Sequence, residues 1–376
     1  MENIWILASK WVLLALIGGI LAGWTGISVS LIEIFMGVIG GNFLGLTTSP
    51  WVDFLAGAGS IILTFLAGAE VDPEVLRTKF KESFTIGFLS FLLPFLGAFA
   101  YAYYIAGWDI QAAKIAGIAL STTSVAVVYA VMIETGLNET ELGKIILAAC
   151  FITDLGTVVA LGIFFANFNK WLLLFVLVLA VVLFITPRFT KWFFKNFGNR
   201  LSHLEIKYIL LLLFFTGGLA LLANSEAVLP AYLLGLAVSS FFLKEKTTIT
   251  RIRTIAFSML TPFYFIKAGL YVSLAAVKNG ILIILVALLV KMVFKFLGVM
   301  PATILFRFKP REGIYTTLLM STGLTFGTIS SLFGLTHGII NKSQYTILVT
   351  VVILSAIVPT IIAQSFFKPH IEVEED

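Results

Sequence analysis

The sequence predicts an all-α polytopic membrane protein with 13 transmembrane helices joined by short loops. Of its 376 residues, 59% are hydrophobic and 12% are charged, whereas a soluble globular domain carries about 25% charged residues. Apolar stretches long enough to cross a bilayer recur from one end to the other. Basic residues concentrate in alternate loops, which independently favours an odd number of crossings. The whole chain, 1–376, is therefore predicted to form one membrane unit.

Each predicted span is a run of roughly 20 mainly apolar residues, the length that a helix needs to cross the hydrocarbon core. In chain order, the spans cover residues 4–23, 27–46, 52–70, 82–106, 112–134, 143–167, 170–187, 205–223, 227–243, 254–274, 279–306, 313–335 and 344–366. Short polar or basic segments separate them, so we expect no second domain between spans.

Loop charges predict the orientation, because cytoplasmic loops carry an excess of Lys and Arg. With the N-terminus outside, seventeen basic residues lie on the cytoplasmic side: Arg77, Lys79, Lys81, Lys144, Arg188, Lys191, Lys195, Arg200, Lys207, Lys244, Lys246, Arg251, Arg253, Arg307, Lys309, Arg311 and Lys368. Only four lie outside: Lys114, Lys170, Lys278 and Lys342. We therefore expect a multi-pass protein of the cell membrane with a cytoplasmic C-terminus. These loops also account for the net charge of +5, so no nucleic-acid partner is expected.

Two predicted spans share small, hydroxyl-rich clusters in their interior. They read GIALSTTSVAVVYAV at 117–131 and LLMSTGLTFGTISSL at 318–332. One offset of 201 residues aligns Ser121 with Thr322. This offset spans seven helices, an odd number, so it predicts two inverted six-helix repeats, a common plan of secondary transporters. The alternative is that small residues simply pack ordinary membrane helices.

The same clusters predict local helix breaks. Ser and Thr side chains compete for backbone hydrogen bonds, and Gly lowers helix stability. Broken backbone at membrane depth is tolerated where it is buried in protein or lines a cavity. Two such breaks would bring helix ends, with their partial charges, to the middle of the membrane.

A single aspartate, Asp154, lies about twelve residues into its predicted span, within AACFITDLGTVVALG. The offset of 201 residues places Ser355 at the equivalent position. One interpretation is a buried aspartate that a helix cap or a lysine satisfies. The other is a site that holds a proton and a cation in turn, because burial penalises the ionised carboxylate. Thr153 and the cluster 121–124 would then supply further oxygen ligands.

Ionisable residues inside a membrane are functional candidates by default. Besides the aspartate they are Lys10, Glu33, Lys267, Lys291 and Lys295, with Glu70 and Glu226 expected nearer the interface. Lys291 lies deep in its span, where it would compensate the negative helix ends at the breaks. Lys295 follows one turn later on the same face, and snorkelling to the interface is its alternative. The roles of Glu33, Lys267 and Lys295 stay open.

Five short stretches, taken in order and with their spacing, resemble those of a known family. They are FLAGAEVDPEVLR at 65–77, followed along the chain by ALSTTS, FITDLG, PAYLLGLAVS and FYFIKAGLYVS. Together they resemble the second monovalent cation–proton antiporter family, which includes sodium/proton exchangers and glutathione-gated potassium efflux systems. The resemblance covers nearly the whole chain.

The resemblance implies a homodimer in which each chain has two domains. The core domain would comprise about 82–167 and 279–366 and would contain two crossed broken helices. The dimerisation scaffold would comprise about 1–81 and 168–278. The implied mechanism is alternating access, with the core moving as an elevator against the scaffold. Such a transporter exchanges monovalent cations for protons across the lipid bilayer, serves pH homeostasis and needs no cofactor.

The resemblance also implies which residues hold the ion. Asp154 matches the essential ion-binding aspartate and would bind Na+ or K+ and H+ in turn. Thr123 and Ser124 match the polar pair at the first break, and Lys291 matches the lysine of the core helix. Thr153 departs from the family, which has Asp, Asn or Gln at this position. A single titrating carboxylate favours one-for-one, electroneutral exchange.

The sequence leaves alternatives open for the transported ion and for the class of protein. Na+/H+ exchange is favoured because most single-domain members resemble sodium exchangers, and K+/H+ antiport is the alternative; Li+ is not distinguished. A sodium-coupled symporter for an organic solute on the same fold is a second alternative, and a channel is a third. An enzyme is disfavoured, because His203, His337 and His370 lie in loops or the tail and no His-Glu-x-x-His motif occurs.

Overall fold

A computed structural model describes residues 3–25, 29–69, 71, 73–137, 140–165, 170–198, 203–223 and 227–369. All regular secondary structure in these residues is helical. Some expectations concern positions outside the described residues, namely Glu70, Arg200, Glu226, His370 and part of the 65–77 stretch.

Eighteen α-helices form in the described ranges. The first nine are α1 Ile4–Thr25, α2 Val29–Phe43, α3 Pro50–Ala69, α4 Pro73–Thr78, α5 Phe80–Ala100, α6 Ile110–Ser121, α7 Val125–Thr135, α8 Glu141–Phe165 and α9 Lys170–Phe197. The others are α10 Leu204–Leu222, α11 Val228–Phe242, α12 Lys246–Ile255, α13 Thr261–Leu270, α14 Leu274–Asn279, α15 Ile281–Leu305, α16 Pro310–Met320, α17 Thr325–Thr336 and α18 Lys342–Phe366. A π-helical turn continues α5 at Tyr101–Ile105, and another joins α12 to α13 at Ala256–Leu260.

Nine helical stretches in the described part of the chain are long and apolar enough to cross a membrane. The chain is thus an all-helical, multi-pass membrane protein. The count of 13 crossings stays a prediction, because several predicted spans form short helices. For example, α2 and α11 have 15 residues each, which is about 22 Å against the roughly 30 Å of the hydrocarbon core.

The chain divides into two compact units. Unit 1 comprises Met1–Pro73 and Val158–Leu270, and unit 2 comprises Glu74–Thr157 and Tyr271–Asp376. Both interrupted spans and Asp154 lie in unit 2. The assignment of one domain as transport core and the other as dimerisation scaffold stays a prediction.

Unit 1 contains closely packed helices, of which α3 and α11 give the clearest case. A Cβ at Gly68 would collide with the carbonyl oxygen of Tyr232, and a Cβ at Gly235 would collide with that of Phe65. Small residues of this kind let two helix backbones approach closely. The ring of Phe65 also packs edge to face against Phe242, with 6.0 Å between centroids.

Unit 2 is built around α5, which packs against α6 and α15. On one side, a Cβ at Gly87 would lie 2.6 Å from the carbonyl oxygen of Ala149 on α8. On another side, a Cβ at Gly298 of α15 would lie 2.6 Å from the carbonyl oxygen of Leu89. These close approaches fix α5 between α8, which carries the aspartate, and α15, which carries two lysines.

The helix α9 extends beyond the predicted span, which ended at Pro187. It continues to Phe197, although an internal proline removes one helical hydrogen bond. Beyond the proline, Phe193 stacks on Tyr208 of α10 with 4.9 Å between centroids, and Thr190 hydrogen-bonds the same phenol at 3.1 Å. Packing against α10 thus extends the helix where the proline and basic residues predicted a loop.

Candidate ion-binding site

Two of the predicted spans are interrupted in unit 2. The helix α6 ends at Ser121 and α7 begins at Val125, while α16 ends at Met320 and α17 begins at Thr325. At the first break, Thr122 leaves the helix for an extended conformation, with φ −63° and ψ 153°. Each interruption falls within the hydroxyl-rich cluster that the sequence singled out.

The two breaks contact each other through hydrogen bonds. The hydroxyl of Thr123 donates to the carbonyl oxygen of Met320 at 2.8 Å. The backbone N–H of Ser124 donates to the carbonyl oxygen of Thr322 at 3.1 Å. All four residues are buried. A carbonyl at the end of α16 and an amide at the start of α7 thus find partners in the opposite break, as buried backbone groups must.

Asp154 lies on α8 with 1% of its surface exposed. Its Oδ1 atom has no hydrogen-bond partner among the residues that the structure describes. Within the same ranges, no ion pair of 4.0 Å or less joins its carboxylate to a lysine or arginine. Neither a helix cap nor a lysine therefore satisfies Oδ1. A buried carboxylate in this position is costly unless a proton or a cation neutralises it.

Thr153 precedes Asp154 and contacts a different helix. Its hydroxyl donates toward the carbonyl oxygen of Ala149 at 3.0 Å and lies 3.1 Å from that of Gly87 on α5. Thr153 therefore links α8 to α5. The hydroxyl oxygen keeps lone pairs for a cation, and its ligand role stays a prediction.

Two lysines on α15 contact different parts of the site. The Nζ of Lys291 donates to Oγ of Ser355 at 2.9 Å. The Nζ of Lys295 donates to Oγ of Ser90 at 2.8 Å and to Oγ1 of Thr123 at 3.0 Å. Both lysines are 0% exposed, so Lys295 does not snorkel to the interface.

The two lysines lie at different parts of the site. Lys295 lies near the helix of the aspartate, because its acceptor Ser90 follows Gly87 by one turn, and the carbonyl oxygen of Gly87 lies 3.1 Å from the Thr153 hydroxyl on α8. Lys291 lies beside the second break, where a Cβ at Gly323 would collide with its Nζ. Its predicted role, compensating negative helix ends, stays a prediction. The spacing of one turn placed both lysines on one face, but it did not indicate that Ser90 and Thr123 hold Lys295.

Ser90 was not predictable as a site residue from its neighbours in sequence, because an isolated serine is ordinary in a membrane helix, whereas Gly323 lies in the 318–332 cluster that the sequence singled out. The offset of 201 residues was the available signal for Ser90, since it pairs position 90 with Lys291. We call Asp154, Lys295, Ser90 and Thr123 the Asp154 cluster.

Two other ionisable residues of the predicted spans, Glu33 and Lys267, lie in unit 1. Lys267 forms an ion pair with Asp53 at 2.7 Å, a partner that the sequence did not indicate. Glu33 is 3% exposed on α2, and its Cγ lies 3.6 Å from the position of a Cβ at Gly18. Neither residue belongs to the Asp154 cluster.

Comparison with known proteins identifies similar chains. The family model of the transmembrane sodium/hydrogen exchanger matches residues 12–368. The chain is 26% identical over 351 residues to the probable Na+/H+ antiporter 3 of Methanocaldococcus jannaschii, covering 90% of this chain and 89% of that one. It is 25% identical over 363 residues to the Na+/H+ antiporter NhaS4 of Synechocystis sp., covering 91% and 88%.

A solved structure shows the same fold. The sodium proton antiporter MjNhaP1 from Methanocaldococcus jannaschii matches with a TM-score of 0.73 at 16% identity, covering 98% of this chain and 100% of that one. The resemblance drawn from the five short stretches is confirmed by the family match over most of the chain. The chain therefore belongs to the transmembrane sodium/hydrogen exchanger family.

Proposed function

We propose that this chain is a secondary active antiporter that exchanges Na+ for H+ at Asp154. The observation that carries the proposal is a carboxylate with 1% exposure whose Oδ1 has no partner among the described residues. A proton or a cation neutralises this charge, but the two compete for the same oxygen atoms. This competition couples the movement of one ion to that of the other. The similarity to proteins named Na+/H+ antiporters supports the same exchange.

We further propose one-for-one, electroneutral exchange. Thr153 stands beside Asp154 in place of a second carboxylate and does not titrate in the physiological range. Hydroxyl oxygens hold both lysines, Ser355 for Lys291 and Ser90 for Lys295. In this proposal, Asp154 alone carries the exchanged charge, and a net current during Na+/H+ exchange in proteoliposomes would show that one of these lysines also cycles its proton.

Oxygen ligands for the cation would come from the residues nearest the aspartate. Thr123 and Ser124 at the first break and Thr153 on α8 offer hydroxyl oxygens, which suit hard cations. The same donor set accepts Na+ or K+, and K+/H+ antiport is the second candidate. The similarity to proteins named Na+/H+ antiporters favours Na+ as the first candidate.

Alternating access is the proposed mechanism of transport. The bounds of α8 and α18, 141–165 and 342–366, differ by 201 residues at both ends, the offset of the predicted repeat. The starts of α5 and α15, at Phe80 and Ile281, differ by the same number. This agreement supports two inverted repeats. We propose that unit 2 carries the ion as an elevator, while unit 1 forms the scaffold of a homodimer in the cell membrane, with the N-terminus outside.

The test is cation-driven proton efflux from acid-loaded proteoliposomes, with Na+, K+ and Li+ added separately. Asp154→Asn keeps the size of the side chain and removes its charge, so we expect antiport to fall by at least a hundredfold. Asp109→Asn is the matched control. Asp109 is an exposed N-cap residue of α6, and asparagine caps a helix as well as aspartate does.

The outcomes separate the candidates. Proton efflux driven by Na+ in the wild type and in Asp109→Asn, but not in Asp154→Asn, supports the proposal. Efflux driven by K+ alone supports the second candidate. If no monovalent cation moves protons in the wild type, the antiporter proposal fails. Sodium uptake that requires an organic solute would point instead to the symporter alternative.

A further inference from the structure

We propose that Ser90 is a positioning residue for antiport. Its hydroxyl holds the Lys295 ammonium apart from Asp154, so that the carboxylate stays open to a cation. The inference rests on the proposed function of Asp154 and goes beyond it, because it assigns a role to a residue on a third helix, α5.

The contacts of Lys295 show which groups hold its ammonium. Its ammonium is fully buried, donates to Ser90 and Thr123, and makes no ion pair within 4.0 Å in the described chain. Its acceptor Ser90 nevertheless lies close to the aspartate's helix, one turn after Gly87, whose carbonyl oxygen is 3.1 Å from the hydroxyl of Thr153. Opposite charges in a protein interior attract more strongly than in water. The two hydroxyl acceptors are therefore what keeps the ammonium from the carboxylate.

Ser90 is the more firmly placed of the two acceptors. Thr123 lies in the first break, and its hydroxyl also donates to the carbonyl oxygen of Met320 in the second break. Ser90 lies on α5, one turn after Gly87, where the backbones of α5 and α8 meet closely. The serine hydroxyl is therefore fixed relative to the helix that carries the aspartate, whereas Thr123 belongs to irregular backbone.

The second half of the chain gives an independent argument. The offset of 201 residues pairs Ser90 with Lys291 and Asp154 with Ser355. In the second half, the ammonium of Lys291 donates directly to Ser355 at 2.9 Å. In the first half, Ser90, with its short side chain, occupies the position equivalent to Lys291. With serine at this position, no lysine within the described residues of α5 pairs with Asp154. A mobile cation can therefore take the place that such an ammonium would occupy.

The experiment compares Ser90→Ala with Ser83→Ala in proteoliposomes, over a range of Na+ concentrations and pH values. Ser83 is the matched control, because it lies on the same helix, is 0% exposed and has a hydroxyl without a partner in the described chain. Without the Ser90 acceptor, Lys295 is expected to move to Asp154 and compete with the cation. The apparent KM for Na+ should rise roughly tenfold, which matches the loss of one hydrogen bond to a charged group. The maximal rate should change less than twofold.

The pH dependence of antiport is a second measurement, and a purely structural role of Ser90 would leave it unchanged. An ammonium beside the carboxylate makes proton binding less favourable, so the acid limb of antiport should shift to lower pH in Ser90→Ala. An unchanged KM and pH profile in Ser90→Ala, equal to those of Ser83→Ala, would overturn the inference.

A second variant keeps the test decisive if the alanine variant does not reach the membrane. Ser90→Cys has nearly the same size, and its sulfur is a weaker acceptor than a hydroxyl. It should shift KM and the acid limb in the same direction by a smaller amount, and no shift would again contradict the inference. If the wild type itself shows no cation-dependent proton movement, the proposed function fails rather than the role of Ser90.

Discussion

At the scale of single residues, the site is defined by charges that are buried and kept apart. Asp154 stood out in the sequence because a carboxylate in an apolar run has a large desolvation cost. Lys295 did not stand out against Lys291, because depth along a span does not show how a helix is rotated against its neighbours. Both lysines are fully buried and held by hydroxyl groups of different helices.

A substitution at Gly323 tests the placement of Lys291. In Gly323→Ala, the added Cβ would overlap the lysine Nζ and crowd Ser355 at 3.2 Å, so the ammonium must leave its acceptor. Overpacking of this kind costs about 1–3 kcal/mol. We expect a thermal midpoint several degrees lower and at least a fivefold loss of Na+/H+ exchange. Gly19→Ala is the control, because a Cβ there meets nothing within 4 Å. Equal melting and transport of the two variants would show that Lys291 is not held at the break.

At the scale of elements, the hydroxyl-rich clusters predicted where the helices break, because side-chain competition for backbone hydrogen bonds is a local effect. The bounds that depend on distant contacts were not predictable. The helix α9 passes through Pro187 because Phe193 and Thr190 contact Tyr208 of another helix. The residues that surround the proline in the sequence do not indicate that Tyr208 is their partner.

The packing of α3 against α11 gives a prediction at this scale. In Gly235→Ala, the new Cβ would collide with the backbone carbonyl of Phe65, which no rotamer change relieves. The helices must separate, and we expect a destabilisation of about 1–3 kcal/mol. Thermal unfolding of the purified protein measures it. Gly218→Ala serves as the control, because its Cβ would meet nothing within 4 Å. Equal thermal midpoints of the two variants would contradict the close approach of α3 and α11.

At the scale of the whole molecule, composition and loop charge were enough to predict an all-helical, multi-pass membrane protein, because burial in lipid constrains every span in the same way. The order of the family's short stretches predicted its membership, which the match over residues 12–368 confirms. The identity of the acceptors around the lysines required the three-dimensional structure, because Ser90 and Lys295 are 205 residues apart in the chain.

The most direct test of the central claim, that one carboxylate holds H+ and a cation in turn, is the number of protons released when Na+ binds. Titration calorimetry of the purified protein in buffers of different ionisation enthalpy measures this number across a range of pH. The account predicts close to one proton per Na+ at low pH, a decline toward zero as pH rises, and no Na+-linked release in Asp154→Asn. Na+ binding without proton release at low pH, or unchanged release in Asp154→Asn, would contradict it.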